Sequence, residues 1–209
     1  MTLGTIPWFQ LWWRLIPLLL TMVRVIAGQF KSRKLRTLDG QATRPTSDRL
    51  KETLFNLVQS RIAESVFLDC FAGSGSIGIE ALSRGAAFVV FVEESSRAVH
   101  VIRQNLTLLG EDGSVRCQIL SQKAEAALKS LERTGRKFDI VFLDPPYADA
   151  DQYPRAFEQL QSSELLNNEA LVVAEHSKFL ALPAQATYLE RRREVRQGDS
   201  VLSLYHFQA

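Results

Sequence analysis

The segment Val66-Phe67-Leu68-Asp69-Cys70-Phe71-Ala72-Gly73-Ser74-Gly75-Ser76-Ile77-Gly78-Ile79-Glu80-Ala81-Leu82-Ser83-Arg84-Gly85 changes character twice along its length. Val66 to Phe71 is an apolar run that reads as a buried strand. It breaks at Ala72-Gly73-Ser74-Gly75, and a helical pattern continues through Ile77, Ile79, Ala81 and Leu82. Strand, glycine turn and helix is the arrangement by which an open α/β sheet takes a nucleotide-like ligand. Glycine lets the backbone approach a ligand closely, and the N–H groups that open the helix suit an anionic group. Gly73, Gly75 and Gly78 spell G-x-G-x-x-G, so a dinucleotide fold competes, and a plain strand-to-helix turn accounts for the same spacing. Asp69 argues for more than a turn, because a carboxylate is rare inside a buried apolar run.

Outward from this segment the chain alternates. Strands are predicted at 66–71, 87–92, 115–120, 138–143 and 169–175, and helices at 76–84, 95–109, 122–133 and 151–162. This rhythm predicts a Rossmann-like α/β fold with a mostly parallel sheet and helices on both faces. The ending differs, since 186–194 and 199–207 read as two strands around Gln197-Gly198-Asp199, an antiparallel hairpin that brings the sheet to seven strands. Three regions are expected: an apolar extension at 1–21, a basic arm of hairpin and helix at 22–60, and the main domain at 61–209.

Residues 1–21 hold all three tryptophans but are interrupted by Pro7, Gln10, Arg14 and Pro17. A spanning helix needs about 20 apolar residues, and a central arginine costs about 2.5–3.5 kcal/mol. No basic stretch precedes the apolar part, as a secretory signal requires. Met22 reads as the natural start, with an anchor lying on a membrane surface as the alternative for 1–21. In the arm, Val23–Gly28 and Arg33–Leu38 predict a small hairpin. Thr46 or Ser47 then caps a helix whose apolar face is Leu50, Leu54, Leu57 and Val58.

A net charge of +2 hides an uneven distribution. From Arg24 to Lys51 there are eight Lys or Arg (Arg24, Lys31, Arg33, Lys34, Arg36, Arg44, Arg49, Lys51) against Asp39 and Asp48. A second cluster is Arg191, Arg192, Arg193 and Arg196. A basic arm on a near-neutral body points to a polyanionic partner. Cys70 and Cys117 fall in strand-like runs and suit a reduced, cytoplasmic protein. His100, His176 and His206 lack ligand spacing, so no metal site is supported.

Two further positions carry chemistry. Glu93 follows the second strand, 20 residues after Gly73, where such folds place an acid on ribose hydroxyls. Glu94 is adjacent and could exchange roles with it. Asp144-Pro145-Pro146-Tyr147 ends the fourth strand, and its double proline stops pairing and stiffens the backbone. The motif leaves a carboxylate, proline carbonyls and an aromatic ring at the carboxyl edge of the sheet. An exocyclic amine needs acceptors on both N–H bonds to turn its lone pair toward a methyl donor, and Asp144 with the Pro145 carbonyl can supply them. Tyr147 can stack on the base, worth about 1–3 kcal/mol.

Asp69-Cys70-Phe71-Ala72-Gly73-Ser74-Gly75 and Asp144-Pro145-Pro146-Tyr147 resemble motifs I and IV of S-adenosylmethionine-dependent amino-group methyltransferases. Arg24-Val25-Ile26-Ala27-Gly28, Arg44-Pro45-Thr46-Ser47-Asp48-Arg49 with Glu52-Thr53-Leu54-Phe55, and Glu80-Ala81-Leu82-Ser83-Arg84-Gly85 resemble the RsmD family, bacterial 16S ribosomal RNA guanine-N2 methyltransferases. The resemblance covers about residues 22–207. It implies a seven-stranded methyltransferase sheet, S-adenosyl-L-methionine as cofactor, and a guanine in the assembled small ribosomal subunit as target. By matching positions it places Asp69, Gly73 and Gly75 at the methionine part of the cofactor, with Phe71 and Ala72 in the same turn, and Glu93 at the ribose. Asp144, Pro145, Pro146 and Tyr147 fall at the guanine. The arm is implied to dock the RNA, through Arg33, Lys34, Arg36, Arg44 and Arg49. After the third strand, where related enzymes carry Asp or Asn toward the adenine, this chain has Ser121-Gln122-Lys123, which leaves Gln122 as the candidate. A monomer is expected.

The rival readings are an adenine-N6 methyltransferase on DNA, a nicotinamide dehydrogenase, and an RNA-binding assembly factor without catalysis. The first would need a recognition insert that is not visible between the strands. The second gives Asp144-Pro145-Pro146-Tyr147 no role, and the third does not need the motif intact.

Overall fold

The computed structural model describes residues 23–38, 48–146, 149–162 and 164–208. The extension at 1–21, Arg44, the capping positions Thr46 and Ser47, and Tyr147 lie outside the described residues. The elements are β1 (Val23–Arg24), β2 (Lys34–Leu35), α1 (Asp48–Leu57), α2 (Gln59–Ile62), β3 (Val66–Asp69), α3 (Ser76–Ser83), β4 (Phe88–Val92) and α4 (Ser96–Leu109). They continue with β5 (Cys117–Leu120), α5 (Ala124–Glu132), β6 (Phe138–Leu143), α6 (Gln152–Ser162), β7 (Leu166–Ser177), β8 (Gln185–Ala186), β9 (Leu189–Gln197) and β10 (Ser200–Phe207).

The main sheet runs β5-β4-β3-β6-β7-β10-β9-β8. Its first five strands are parallel, and β10 is antiparallel to both β7 and β9. The seven expected strands are all present, and the two-residue β8 adds an eighth at the outer edge by pairing with the start of β9. The parallel strands are apolar along their whole length because helices cover both faces. On one face Phe67, Phe91 and Ile140 pack with Ile79 and Leu82 of α3 and Ile102 and Leu106 of α4. On the other, Leu68, Val90 and Val141 meet Leu128 and Leu131 of α5 and Phe157 and Leu160 of α6. Helix α4 has clear ends, with the Ser95 hydroxyl accepting from the Ala98 N–H and Gly110 turning left-handed after the last residue.

The arm is built into the first of these cores. Val23, Val25, Phe30, Leu35, Leu50, Leu54 and Phe55 are buried with the residues of α3 and β3. The hairpin docks on α3 mostly through main-chain groups. The N–H groups of Ile26 and Ala27 donate to the Glu80 carboxylate at 2.8 and 2.9 Å. Gln29 N–H donates to the Ser83 carbonyl at 2.7 Å, and Phe30 N–H donates to the Ser83 hydroxyl at 2.9 Å. Contact is so close at Gly28 (φ +82°) that a Cβ there would lie 1.8 Å from the Ser83 carbonyl oxygen.

Glu80 is fully buried and also meets Arg84 Nε at 2.8 Å and Lys51 Nζ at 3.6 Å. Lys51 in turn donates to the Arg24 carbonyl. Burial pushes the Lys51 ammonium below its ordinary value, with the Glu80 charge acting in the opposite direction. The second basic cluster is largely consumed by its own strand. Arg191 and Arg196 pair with Glu194 at 3.2 Å, and Arg192 pairs with Glu190 at 2.9 Å, which makes β9 a charged strand that discourages further pairing at this side of the sheet.

Glu80→Ala strips the arm of its acceptor and leaves Lys51 buried without its counter-charge. Removing one partner of a buried pair costs about 3–5 kcal/mol. Urea unfolding should show a loss of that size with the arm released to proteolysis, and a loss under about 1 kcal/mol would contradict this account of the docking.

Candidate active site

At the carboxyl end of β3 the backbone parts from both neighbours in turn. Cys70 N–H still donates to Phe142 of β6 at 3.0 Å, and Ala72 N–H donates to Val92 of β4 at 2.9 Å. The strand therefore ends at Asp69, two residues before the end of the apolar run. Chain order reverses between β3 and β6, and it is at such a switch point that open α/β sheets have the crevice in which ligands bind. Gly75 N–H donates to the Ala72 carbonyl at 2.7 Å, closing a tight turn, and Gly75 itself is left-handed (φ +80°) as α3 begins. Gly78 gives helix and sheet their close contact, since a Cβ there would lie 2.3 Å from the Phe91 ring. In front of Gly73, by contrast, a Cβ would meet nothing within 4 Å.

The acids are fastened to this turn by main-chain donors. Asp69 is buried and accepts from Gly78 N–H at 2.8 Å. Burial pushes its carboxyl up to about 7, the Gly78 hydrogen bond pulls against that rise, and the Glu93 charge adds to it. Glu93 follows β4 and accepts from Gly73 N–H and Ser95 N–H, each at 2.8 Å. It is half-buried, whereas the neighbouring Glu94 is exposed. Phe71 is half-buried and Ala72 buried in the same turn. At the end of β5, Leu120 O accepts from both Glu93 N–H at 3.1 Å and Gln122 N–H at 3.0 Å. This sets Gln122 beside Glu93, with its exposed side chain accepting from the Ser130 hydroxyl at 3.5 Å.

Asp144 and Pro145 leave β6 on the other side of the crevice, after Leu143, which lies one residue beyond Phe142, the last residue paired with β3. Asp144 is half-buried, Pro145 buried and Pro146 exposed. The Pro146 carbonyl accepts from Asp149 N–H at 2.8 Å. One sheet edge thus collects Asp69, Phe71, Ala72, Gly73, Gly75, Glu93, Gln122, Asp144, Pro145 and Pro146. Of the arm candidates, Arg33, Lys34, Arg36 and Arg49 are exposed. They stand on β2, just beside it, and on α1.

Two features of this region escape a reading of motifs. Asn105 is fully buried on α4 and hydrogen bonds the Ser74 carbonyl of the glycine turn at 2.9 Å. The available signal was a polar residue on the core stripe Ala98, Val99, Ile102 and Leu106. Phe179 follows β7 just beyond the same carboxyl edge, 85% exposed, with Lys178 Nζ 5.0 Å from its ring. A groove between α6 and the outer hairpin, lined by Pro154, Phe157, Gln161, Pro183 and Tyr188, contains none of these groups. Among the described residues no helix is long and apolar enough to cross a membrane.

Comparison with known proteins agrees with this geometry. Residues 23–206 match the family model described as Conserved hypothetical protein 95. The chain is 40% identical to Ribosomal RNA small subunit methyltransferase D of Haemophilus influenzae, over 81% of this chain and 88% of that protein. It is 34% identical to the Escherichia coli K12 protein of the same name, over 90% and 91%. The solved structure of Escherichia coli yhhF superposes with a TM-score of 0.78 at 31% identity, covering 90% of this chain and 99% of that one. By this match over nearly its whole described length, the chain belongs to the family described as Conserved hypothetical protein 95, the RsmD family.

Proposed function

We propose that this protein transfers a methyl group from S-adenosyl-L-methionine to the exocyclic N2 of a guanine in 16S ribosomal RNA of the small subunit. The observation that carries the reading is the placement of Asp144-Pro145 across one crevice from a glycine turn latched to Glu93. The names of the relatives support an RNA substrate and methyl transfer. The residues present fit the cofactor: there is open space over Gly73, a carboxylate stands at the end of β4, and main-chain N–H groups begin α3. When bound, S-adenosylmethionine supplies an electrophilic methyl on a sulfonium and leaves as S-adenosylhomocysteine.

The chain's own residues do the rest. Gly73 and Gly75 let the backbone lie against the methionine part, and Phe71 and Ala72 wall the turn. Asp69 holds the turn by its bond to Gly78 and contributes negative charge beneath a cationic ligand. Glu93 has acceptor capacity left for ribose hydroxyls after its two N–H partners, because a carboxylate offers about four lone-pair sites. Gln122 is the candidate for the adenine. Asp144 and the Pro145 carbonyl accept the two N2 hydrogens of the guanine, which turns the nitrogen lone pair toward the methyl carbon. As the new N–C bond forms, Asp144 takes the surplus N2 proton and passes it to solvent. Alignment of the reacting atoms supplies much of the acceleration. Tyr147 stacks on the base. The exposed Arg33, Lys34, Arg36 and Arg49, with Arg44, hold the RNA backbone.

The reading is tested with radiolabelled S-adenosylmethionine and small subunits from a bacterium lacking the endogenous guanine-N2 enzyme. Label should appear as N2-methylguanosine at a single site. Asp144→Ala should abolish it while S-adenosylhomocysteine affinity stays within about threefold. Equal loss of both would make Asp144 a cofactor or folding residue, and label in DNA adenine would move the substrate.

Replacing Arg33, Lys34 and Arg36 together by alanine should weaken RNA binding and flatten its log–log salt slope by about 2 to 3, because three phosphates are then no longer neutralised by the arm. An unchanged slope would take β2 out of the interface.

The Asp69 carboxyl titrates at about 7 in the free protein, and a cationic ligand favours its charged form. Affinity for S-adenosylmethionine should therefore rise with pH from 6 to about 7 and level off above it, while Asp69→Asn should show a flat profile. Calorimetry across this range checks both, and a wild-type profile as flat as the variant's would remove Asp69 from the cofactor's electrostatics.

A further inference from the structure

Asn105 uses its whole amide to join two regions that the sequence keeps far apart. Its Oδ1 accepts from Arg36 N–H at 2.8 Å. Its Nδ2 donates to the Arg36 carbonyl at 3.1 Å and to the Ser74 carbonyl at 2.9 Å. The partners dictate this orientation, because an N–H must face the oxygen and two carbonyls must face the amide nitrogen. Toward Arg36 the side chain pairs as a strand backbone would, extending the β2 edge onto α4. Toward Ser74 it reaches the turn between Gly73, whose N–H is held by Glu93, and Gly75, the left-handed residue that opens α3.

Asn105 is the one polar residue among the buried residues of α4, and a leucine would fill that place in the stripe by packing alone. It is fully buried, so water cannot replace a bond that breaks, and an unpaired amide there is costly. The turn and the arm are therefore not free to shift independently. The Arg36 guanidinium is exposed and contacts the Gln104 side chain at 3.3 Å, one residue from the tie. A phosphate drawn to that guanidinium acts on a backbone bonded through a single side chain to the cofactor turn.

We propose that Asn105 is a positioning residue that couples the basic arm to the glycine turn, so that occupation of the cofactor site tightens the arm and RNA on the arm orders the cofactor site. This rests on the function proposed above. Such coupling is reciprocal by thermodynamic necessity.

The test follows the Arg36 amide by hydrogen exchange in the full chain, with S-adenosylhomocysteine as the probe and its dissociation constant measured first by calorimetry. Saturating probe should slow exchange at Arg36 about fivefold. Exchange at Arg33, whose N–H bonds to Phe30 within the hairpin, should stay unchanged. Asn105→Leu should abolish the Arg36 response and weaken the probe about tenfold. Binding without any change at Arg36 in the wild type overturns the coupling and leaves the proposed function standing. A response that persists in Asn105→Leu shows that the coupling bypasses this side chain, which also overturns it. Failure of the probe to bind at all removes the proposed function and the inference together. Absence of a response at Arg36 in the wild type overturns the coupling even if the leucine variant does not fold, and Asn105→Ala then takes its place in deciding whether the response runs through this side chain.

Discussion

The hydrogen bond from Gly78 N–H to the buried Asp69 carboxylate, 2.8 Å long, is the constraint on which the rest of the molecule leans. It ties the first turn of α3 to the last residue of β3 across the glycine turn, and so fixes how the helix leaves the sheet. The absent side chain at Gly78 lets the Phe91 ring lie against the helix. With α3 seated, Glu80 and Ser83 are presented to the arm and the Ser74 carbonyl is presented to α4. A carboxylate in such a place is desolvated, which is the source of its raised pKa. A buried acid held by one main-chain donor keeps the turn ordered.

Charge is partitioned in space. Acids gather at the carboxyl edge of the sheet, where Asp69 ends β3 and Glu93 and Asp144 follow the strands on either side of it. Exposed cations gather on β2 and the start of α1. In the proposed reading the acids meet a cationic cofactor and the exposed cations a polyanion, and a net charge of +2 conceals both. The arginines of β9 belong to neither group, since Glu190 and Glu194 pair with three of them. Exposed pairs of this kind are worth little to stability, and they leave less free positive charge there than a count of arginines suggests.

The arm and the sheet share one core, and the polar contacts between them are made by few groups. Glu80 receives two backbone donors and two cations, while Asn105 receives and returns the backbone of Arg36. Both are buried, so each contact depends on the others being made. The arm's position is in this way referred to the same helix and the same turn that frame the crevice.

The sequence alone determined the order of strands and helices, the glycine turn, the acids at 69, 93 and 144, and the basic character of the arm, because each is written in local composition and in spacings of a few residues. Element ends moved by up to three residues in the main sheet, with β7 beginning at Leu166 and β9 running from Leu189 to Gln197, and the two arm strands shrank to two residues each; β3 ends early where hydrogen bonding passes from one neighbour to another, at Cys70 and Ala72. The short β8 had too little pattern to be seen, since a two-residue edge strand needs only a partner's free main-chain groups. Glu80 could be read as part of a motif but not as the arm's acceptor, and Asn105 could be read only as a polar residue on an apolar stripe. Their main-chain partners in the arm stand 53 to 69 residues away in the chain. Contacts at that separation are set by how the layers pack, and no periodicity of the chain encodes them; only the tertiary structure decided which buried polar groups would meet.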